Sequence, residues 1–233
     1  MSVSSETLEV FRKVRTSDVS DALDSMGHQE RHVMDSWMRP LSFGIRFAGI
    51  AHTAEYDVID EPLEPMSYEE FDRRQYEPGD DGLWHEAGAW GAPDEVLVVD
   101  AKGSAAGILG SANTLGGRRK GVVGYVIDGA CRDSYECIIQ KTPAFCTVRS
   151  PQHPMGRIAP VSDGRPITCA GVRVEPGDVV IADDDGVVVV PRELTDEVAR
   201  RAALIQAKDR PGRRADYEAL ALPLDETVEL DEA

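Results

Sequence analysis

The sequence predicts an α/β fold, and three observations support this. Short apolar runs rich in valine and isoleucine alternate with segments of helical spacing, which is typical of a sheet covered by helices. Turn-forming glycine, proline and aspartate separate these runs. The chain has 233 residues and is 42% hydrophobic, enough for one substantial core. We expect a single domain over 1–233, with 60–92 as an insertion and 193–233 as a C-terminal helical extension.

The N-terminal segment predicts two helices and then strands. Residues 5–14 form an amphipathic pattern. A second helix is expected from Thr16, capped by Thr16 or Ser17 and ended by Gly27. The alternating, glycine-containing segment 38–56 predicts a bent pair of strands.

The segment 60–90 is acidic and contains several aromatic residues, which are Tyr68, Phe71, Tyr76, Trp84 and Trp90. Five aromatic side chains are too many for a solvated tether. We therefore interpret this segment as an inserted excursion that covers a pocket or a subunit contact.

The central part of the chain predicts alternating strands and helices. A buried strand over 95–100 is expected to end at Asp100 in a turn, followed by a helix over 107–119. The apolar run 122–127 predicts a strand that stops at a turn made by Gly129. A helix around 134–140 and a strand over 144–148 follow.

The C-terminal part predicts strands and then a long helix. Four short strands are expected beyond Pro160, at 166–170, 172–174, 179–182 and 186–191. The amphipathic tail 193–220 predicts a helix interrupted at Pro211 and Gly212.

Charge excludes some partners. Asp and Glu number 42 against 25 Lys and Arg, a formal net charge of −17. Such a chain repels nucleic acid phosphates and anionic lipids, so we expect neither a nucleic-acid nor a membrane partner. A small anionic substrate is compatible, because a local arginine and a cation outweigh the global field within a pocket.

The cysteines and the N-terminus indicate a cytoplasmic protein. The four cysteines lack Cys-x-x-Cys spacing and lie in apolar segments, which predicts reduced, buried thiols: Cys131, Cys137, Cys146 and Cys169. The N-terminus has no basic region followed by an apolar core, and no apolar run is long enough to span a bilayer.

The most informative candidate site is the pair Arg132 and Asp133, which follows the strand over 122–127. An arginine can hold a carboxylate through two hydrogen bonds, and an aspartate offers a hard oxygen to a divalent cation. A structural ion pair is the alternative. Backbone amides at the expected helix start, Gly110 to Asn113, would also receive an anion.

Other motifs support no catalytic site. Three consecutive carboxylates at 183–185 favour a hairpin turn over a metal cluster. His28 and His32 are four apart, but Gly27 breaks the helix that would align them as metal ligands. The glycines at 103–110 match no phosphate-binding loop.

The central motif reads Gly121-x-x-Gly124-x-x-x-Asp128-Gly129-x-x-Arg132-Asp133. It resembles that of the RraA-like family, which contains divalent-metal-dependent 4-hydroxy-4-methyl-2-oxoglutarate aldolases, with oxaloacetate decarboxylase activity, and the regulator of ribonuclease E activity. Further landmarks follow in family order at 16–23, 47–53, 96–100, 174–180 and 183–191. The resemblance therefore covers most of the chain.

This resemblance implies a layered β/β/α fold related to swivelling phosphohistidine domains, assembled as a homotrimer or homohexamer with active sites at subunit interfaces. It also implies site roles. Arg132 would bind the 2-oxo acid end of the substrate, and Asp133 would ligate Mg²⁺ or Mn²⁺, with water completing most of the shell. Backbone donors would come from the loop residues Gly110, Ser111, Ala112 and Asn113.

The sequence departs from the family pattern in the loop. Catalytic members usually carry Asp or Glu where this chain has Ser111, and Asn113 replaces a residue that is usually apolar. A hydroxyl cannot match a carboxylate in proton transfer. Asp100 and Glu136 are acidic residues nearby in sequence, and the sequence does not name a replacement.

The resemblance favours a metal-dependent lyase that acts on a small 2-oxo acid, by retro-aldol cleavage or decarboxylation, through an enolate held by Arg132 and the cation. Two alternatives remain open. Ser111 and the insertion allow a different lyase or dehydratase acting on a hydroxy acid. A non-catalytic regulatory protein is the third reading, and it is disfavoured because the regulator lacks the aspartate that this chain has at Asp133.

Overall fold

The computed structural model describes residues 3–29, 32–76 and 91–229. Its helices are α1 Ser5–Lys13, α2 Thr16–Ser25, α3 Tyr68–Tyr76, α4 Ser111–Lys120, α5 Ser134–Ile139 and α6 Thr195–Ala219. Its strands are β1 Arg39–Pro40, β2 Phe47–Val58, β3 Glu95–Leu109, β4 Gly124–Cys131, β5 Ala144–Arg149, β6 Ile158–Asp163, β7 Ile167–Cys169, β8 Val172–Val174, β9 Val179–Asp183 and β10 Gly186–Val190. The predicted α/β class and the C-terminal helix are confirmed.

One eight-stranded sheet organises the described residues, in the order β1-β5-β4-β3-β2-β9-β10 with β6 paired to β2. The pairs β2 with β3, β3 with β4 and β4 with β5 are parallel, whereas the outer pairs are antiparallel. Parallel neighbours require crossover connections. Helix α4 lies between β3 and β4, and α5 lies between β4 and β5. The ends of β3 and β4 therefore lie at one edge of the sheet, where both helices begin.

The central strands are buried on both faces. On β3, Leu97 and Val99 face a cluster that includes Cys137 of α5, whereas Val96 and Val98 face residues of β7 and β8. This division follows from the alternation of side chains along a strand. A third apolar cluster joins α1, α2 and α6 to β9 and β10. The apolar runs in the sequence are continuous because both faces of the sheet are covered.

Two predicted strand ends were wrong. Strand β3 continues beyond Asp100 after an irregular segment in which Lys102 and Gly103 have positive φ, so α4 begins at Ser111 rather than at 107. Strand β4 likewise runs through Gly129 to Cys131. Gly129 makes no turn. A Cβ there would lie 2.9 Å from the Ala101 Cβ, so close strand packing explains this glycine.

The predicted cap of α2 was also wrong. The cap residue is Arg15, whose backbone N–H donates to an Asp18 carboxylate oxygen at 3.0 Å. The Thr16 hydroxyl instead donates to Asp183 at 2.6 Å. Gly27 has a φ of 83°, in agreement with a helix end there.

Three further differences concern α6, β1 and β6. Helix α6 continues through Pro211 without the predicted interruption. The segment 38–56 forms β1 and β2, but β1 pairs with β5 and not with β2. Strand β6 was not anticipated. The predicted insertion contributes α3, whereas Trp84 and Trp90 lie outside the described residues.

In the part of the chain that the structure describes, no helix combines the length and the apolar character needed to span a membrane.

Candidate active site

Arg132 and Asp133 lie between the end of β4 and the start of α5. Asp133 is the N-cap residue of α5 and has left-handed backbone angles, φ 53° and ψ 33°. Such angles cost a non-glycine residue roughly 1–2 kcal/mol and often occur at functional sites. The backbone is held on both sides, because Arg132 N donates to Leu109 O at 2.9 Å and Cys137 N donates to Asp133 O at 3.0 Å. Both charged side chains remain partly exposed.

The start of α4 contacts this loop directly. Ser111 N donates to Asp133 Oδ2 at 3.2 Å, where a carboxylate is favoured by the positive end of the helix. A Cβ on Gly110 would lie 2.2 Å from the same Oδ2 and 3.1 Å from Arg132 Cγ. Only glycine permits this approach. The structure therefore brings together the helix start and the Arg-Asp pair that the sequence singled out.

A second glycine, Gly107, allows Arg132 to pack closely against β3. Gly107 N donates to Gln152 O at 3.0 Å, and a Cβ on Gly107 would lie 2.8 Å from Arg132 Cβ. Gly107 and Gly110 therefore allow close contacts with neighbouring chain segments and form no phosphate-binding loop.

The Ser111 side chain has an acidic partner. Its hydroxyl donates to Glu136 Oε2, from the first turn of α5. Asp100, the other acidic residue considered in the sequence, is buried and accepts hydrogen bonds from Lys102 instead. The sequence gives one indication that Glu136 lies near the site, because it follows Asp133 by about one helical turn.

The flank of Arg132 is formed by His153. Burial, and then the charges of Arg132 and Arg157, lower the pKa of the His153 imidazole. The Phe71 ring of α3 packs against His153 with 5.0 Å between ring centroids. The inserted helix thus contacts the edge of the site.

Beneath the loop lie buried thiols. The sulfur atoms of Cys131 and Cys137 lie 3.4 and 3.8 Å from Arg132 O. A hydrogen bond with Cys137, together with burial, raises the pKa of Cys131. All four cysteines are buried and free, as predicted.

The remaining candidates form no catalytic centre. Asp183 to Asp185 join the antiparallel strands β9 and β10, and Asp185 N donates to Asp183 Oδ1 at 3.0 Å, in agreement with the predicted hairpin turn. Asp184 accepts a hydrogen bond from Gly44 N at 2.9 Å. His28 lies beyond the end of α2, and its ring contacts that of His32 edge to face. Among the described residues, no group of three or more His, Cys, Asp or Glu side chains could hold a metal ion.

A hydrated hard cation fits the donors that are present. The Asp133 side chain is 37% exposed, so its carboxylate is accessible to a cation from solvent. Mg²⁺ is commonly bound by one or two carboxylates, with water and substrate oxygens completing the shell. Zinc would require several protein nitrogen or sulfur ligands, which the described residues here do not supply.

Known proteins show a consistent pattern of similarity. The RraA-like family, described as Aldolase/RraA, matches residues 16–189. A protein of Halalkalibacterium halodurans, provisionally named a 4-hydroxy-4-methyl-2-oxoglutarate aldolase, is 31% identical over 215 residues, which cover 88% of this chain and 86% of the relative.

Solved structures agree with this match. Streptomyces coelicolor RraAS2, titled an unusual member of the RNase ES inhibitor RraA family, has a TM-score of 0.75 and 27% identity, covering 91% of this chain and 98% of its own. An uncharacterised protein of Pseudomonas syringae shares the fold, with a TM-score of 0.72 and 24% identity over 98% of this chain and all of its own. The match over 16–189 and the 31% identity to the Halalkalibacterium halodurans protein establish that the chain belongs to the RraA-like family.

Proposed function

We propose that this protein is a divalent-metal-dependent carbon-carbon lyase that acts on a small 2-oxo acid and releases pyruvate. The reaction is retro-aldol cleavage of a 4-hydroxy-2-oxo acid, decarboxylation of oxaloacetate, or both. The observation that carries this proposal is the convergence of Arg132, Asp133 and the start of α4 in one site. Membership of a family with relatives named as aldolases supports it.

Each residue has a defined role in this proposal. The Arg132 guanidinium binds the oxo-acid end of the substrate, where planar paired donors suit a carboxylate. The backbone amides of 110–113 receive the same anionic end. One of these amides, Ser111 N, donates to Asp133 Oδ2 at 3.2 Å, so the amides adjoin the carboxylate proposed to hold the cation.

Asp133 is the residue that would hold Mg²⁺ or Mn²⁺. Such a cation supplies Lewis-acid stabilisation of the negative charge that develops beside a carbonyl when a carbon-carbon bond breaks. Arg132, which lies next to Asp133 in the chain, adds a fixed positive charge on the same side. These local charges offset the net charge of −17 for an anionic substrate.

The test measures pyruvate release from oxaloacetate and from 4-hydroxy-4-methyl-2-oxoglutarate, with Mg²⁺, with Mn²⁺ and with chelator. We expect metal-dependent release that falls by about 10²-fold or more in Asp133→Ala, since one carboxylate anchors the cation. Asp184→Ala, which removes a turn carboxylate, is the control and should retain activity. Equal turnover in Asp133→Ala and the wild type would contradict the proposal.

A second candidate is a non-catalytic regulatory protein. The similarity to RraAS2, over 91% of this chain, favours it. It predicts no pyruvate release and inhibition of an RNase E-type endonuclease in a cleavage assay. The same assay on Asp133→Ala separates the two candidates, because a surface inhibitor has no need of that carboxylate.

We also propose a homotrimer or homohexamer in the cytoplasm, with the active site at a subunit interface. The two helices that begin at the site, α4 and α5, carry exposed apolar side chains, which are Leu115, Tyr135, Ile138 and Ile139. These two helices contact each other. An apolar surface of this kind is a common site of protein association.

A further inference from the structure

We propose that Glu136 is the general base and general acid of this site and that Ser111 positions it. This inference rests on the proposed lyase function and names the group that moves the proton. Ser111 interacts with two carboxylates, because its hydroxyl donates to Glu136 Oε2 and its backbone N–H donates to Asp133 Oδ2. Ser111 is buried, whereas Glu136 is exposed, so a substrate can reach the glutamate.

The position of Glu136 is not explained by the stability of its own helix. Glu136 is the third residue of α5, where a glutamate usually turns back to cap the N-terminus of the helix that carries it. Here its carboxylate bonds to Ser111 of α4 instead, and the Asp133 side chain makes no capping hydrogen bond within α5. Both carboxylates are therefore directed to the start of α4.

The chemistry requires a group that accepts and returns a proton. The Arg132 guanidinium stays protonated, and Asp133 is assigned to the cation. A serine hydroxyl is too weak an acid and base to act alone. Among the side chains described around Ser111, Glu136 has the required acid-base character.

His153 is a weaker candidate for this role. Its Nδ1 accepts a hydrogen bond from Met155 N at 3.2 Å, and its ring packs against Phe71. These contacts assign His153 to the flank of Arg132, whereas Glu136 accepts a hydrogen bond from Ser111 directly.

The proton transfer balances within the proposed cleavage. Glu136 takes the proton of the C4 hydroxyl of a 4-hydroxy-2-oxo acid. The C3–C4 bond then breaks, C4 becomes a carbonyl carbon, and the electron pair forms the enolate of pyruvate. The protonated Glu136 returns the proton to C3, which yields pyruvate and restores the carboxylate.

Three variants of the full chain test this assignment. With Mn²⁺ and 4-hydroxy-4-methyl-2-oxoglutarate, we expect Glu136→Gln to lower kcat by about 10²-fold and to leave KM within about threefold, because general acid-base catalysis acts in the transition state. Ser111→Ala should lower kcat less, by about tenfold. Glu136→Gln combined with Ser111→Asp should regain at least about tenfold, since the new carboxylate starts within one hydrogen bond of the lost one.

Binding and stability separate a chemical role from a structural one. Calorimetric titration of the Mn²⁺-loaded protein with oxalate should give the same Kd for Glu136→Gln and the wild type, with an unchanged thermal midpoint. Glu6→Gln is the matched control, because Glu6 is exposed in the first turn of α1. It should match the wild type in every measurement.

The outcomes are distinguishable. A wild-type protein that releases no pyruvate overturns the proposed function, and the assignment of Glu136 with it. If the wild type is active and Glu136→Gln has a kcat within about threefold of the wild-type value, only the assignment of Glu136 is overturned. The assignment is also overturned if Glu136→Gln binds oxalate more weakly or unfolds at a lower temperature, and the added Ser111→Asp does not restore activity. That result would indicate a structural contact.

Discussion

At the scale of single residues, the site depends on the absence of a side chain at Gly110. This residue has φ −128° and ψ −174°, angles open to any amino acid, so its requirement is steric. A Cβ would lie 2.2 Å from Asp133 Oδ2. The carboxylate of Asp133 would have to move away from Ser111 N to make room.

Gly110→Ala should therefore lower metal-dependent pyruvate release by about 10²-fold, because small displacements of a positioned group have effects of that size. Gly116→Ala, within α4, is the control. It meets no atom within 4 Å and should stabilise the protein by about 0.5–1 kcal/mol. Turnover and urea denaturation of both variants check the prediction. Wild-type activity in Gly110→Ala would show that Asp133 needs no fixed position.

The same scale shows what sequence reasoning found at the site and what it missed. Arg132, Asp133 and the start of α4 were predicted because charged residues after an apolar run and glycines at a helix start leave a local pattern. The partnership of Ser111 with Glu136 leaves no such pattern, since 25 positions separate the two residues. Their contact arises only when β3 and β4 align in parallel.

At the scale of elements, most strands and helices were predicted, and the errors lie at their ends. The run 95–100 identified β3, but its continuation to Leu109 depends on pairing with β4 across an irregular segment. Only the first residue of strand β6, Ile158, is buried, and the strand pairs with β2. A short strand of this kind is defined by its neighbour more than by its own residues.

Helix α6 offers a test at this scale, because it contains Pro211 within its 25 residues. A proline inside a helix lacks one hydrogen-bond donor and costs about 3 kcal/mol. Pro211→Ala should raise the free energy of unfolding by about 1–3 kcal/mol in urea denaturation. Lys208→Ala, at an exposed position of the same helix, should change it by less than about 0.5 kcal/mol. No gain in Pro211→Ala would favour the interrupted helix that the sequence predicts.

At the scale of the whole molecule, the surface around the site indicates association. Tyr135 and Ile139 are 79% and 64% exposed on α5, directly after Asp133. Exposed apolar side chains next to a polar site are expected where a second subunit completes it. The net charge of −17 disfavours nucleic acid as the partner on this surface.

Ile139→Arg should shift the mass in solution to that of a single chain and lower pyruvate release, because an arginine at an apolar interface introduces an unpaired charge. Leu204→Arg is the control, since Leu204 is 58% exposed on α6. It should leave the mass unchanged. Analytical ultracentrifugation at one protein concentration measures both variants. An unchanged oligomer in Ile139→Arg would place the interface elsewhere.

By itself, the sequence determined the α/β class, the order of most elements, the buried thiols and the two charged residues after β4. These properties are local, because hydrophobic periodicity, turn residues and motif spacing express them over a few positions. The tertiary structure alone decided which distant groups meet. Parallel pairing of β3 and β4 places Gly110 against Asp133 and Ser111 against Glu136, since crossover connections bring both strand ends to one edge of the sheet.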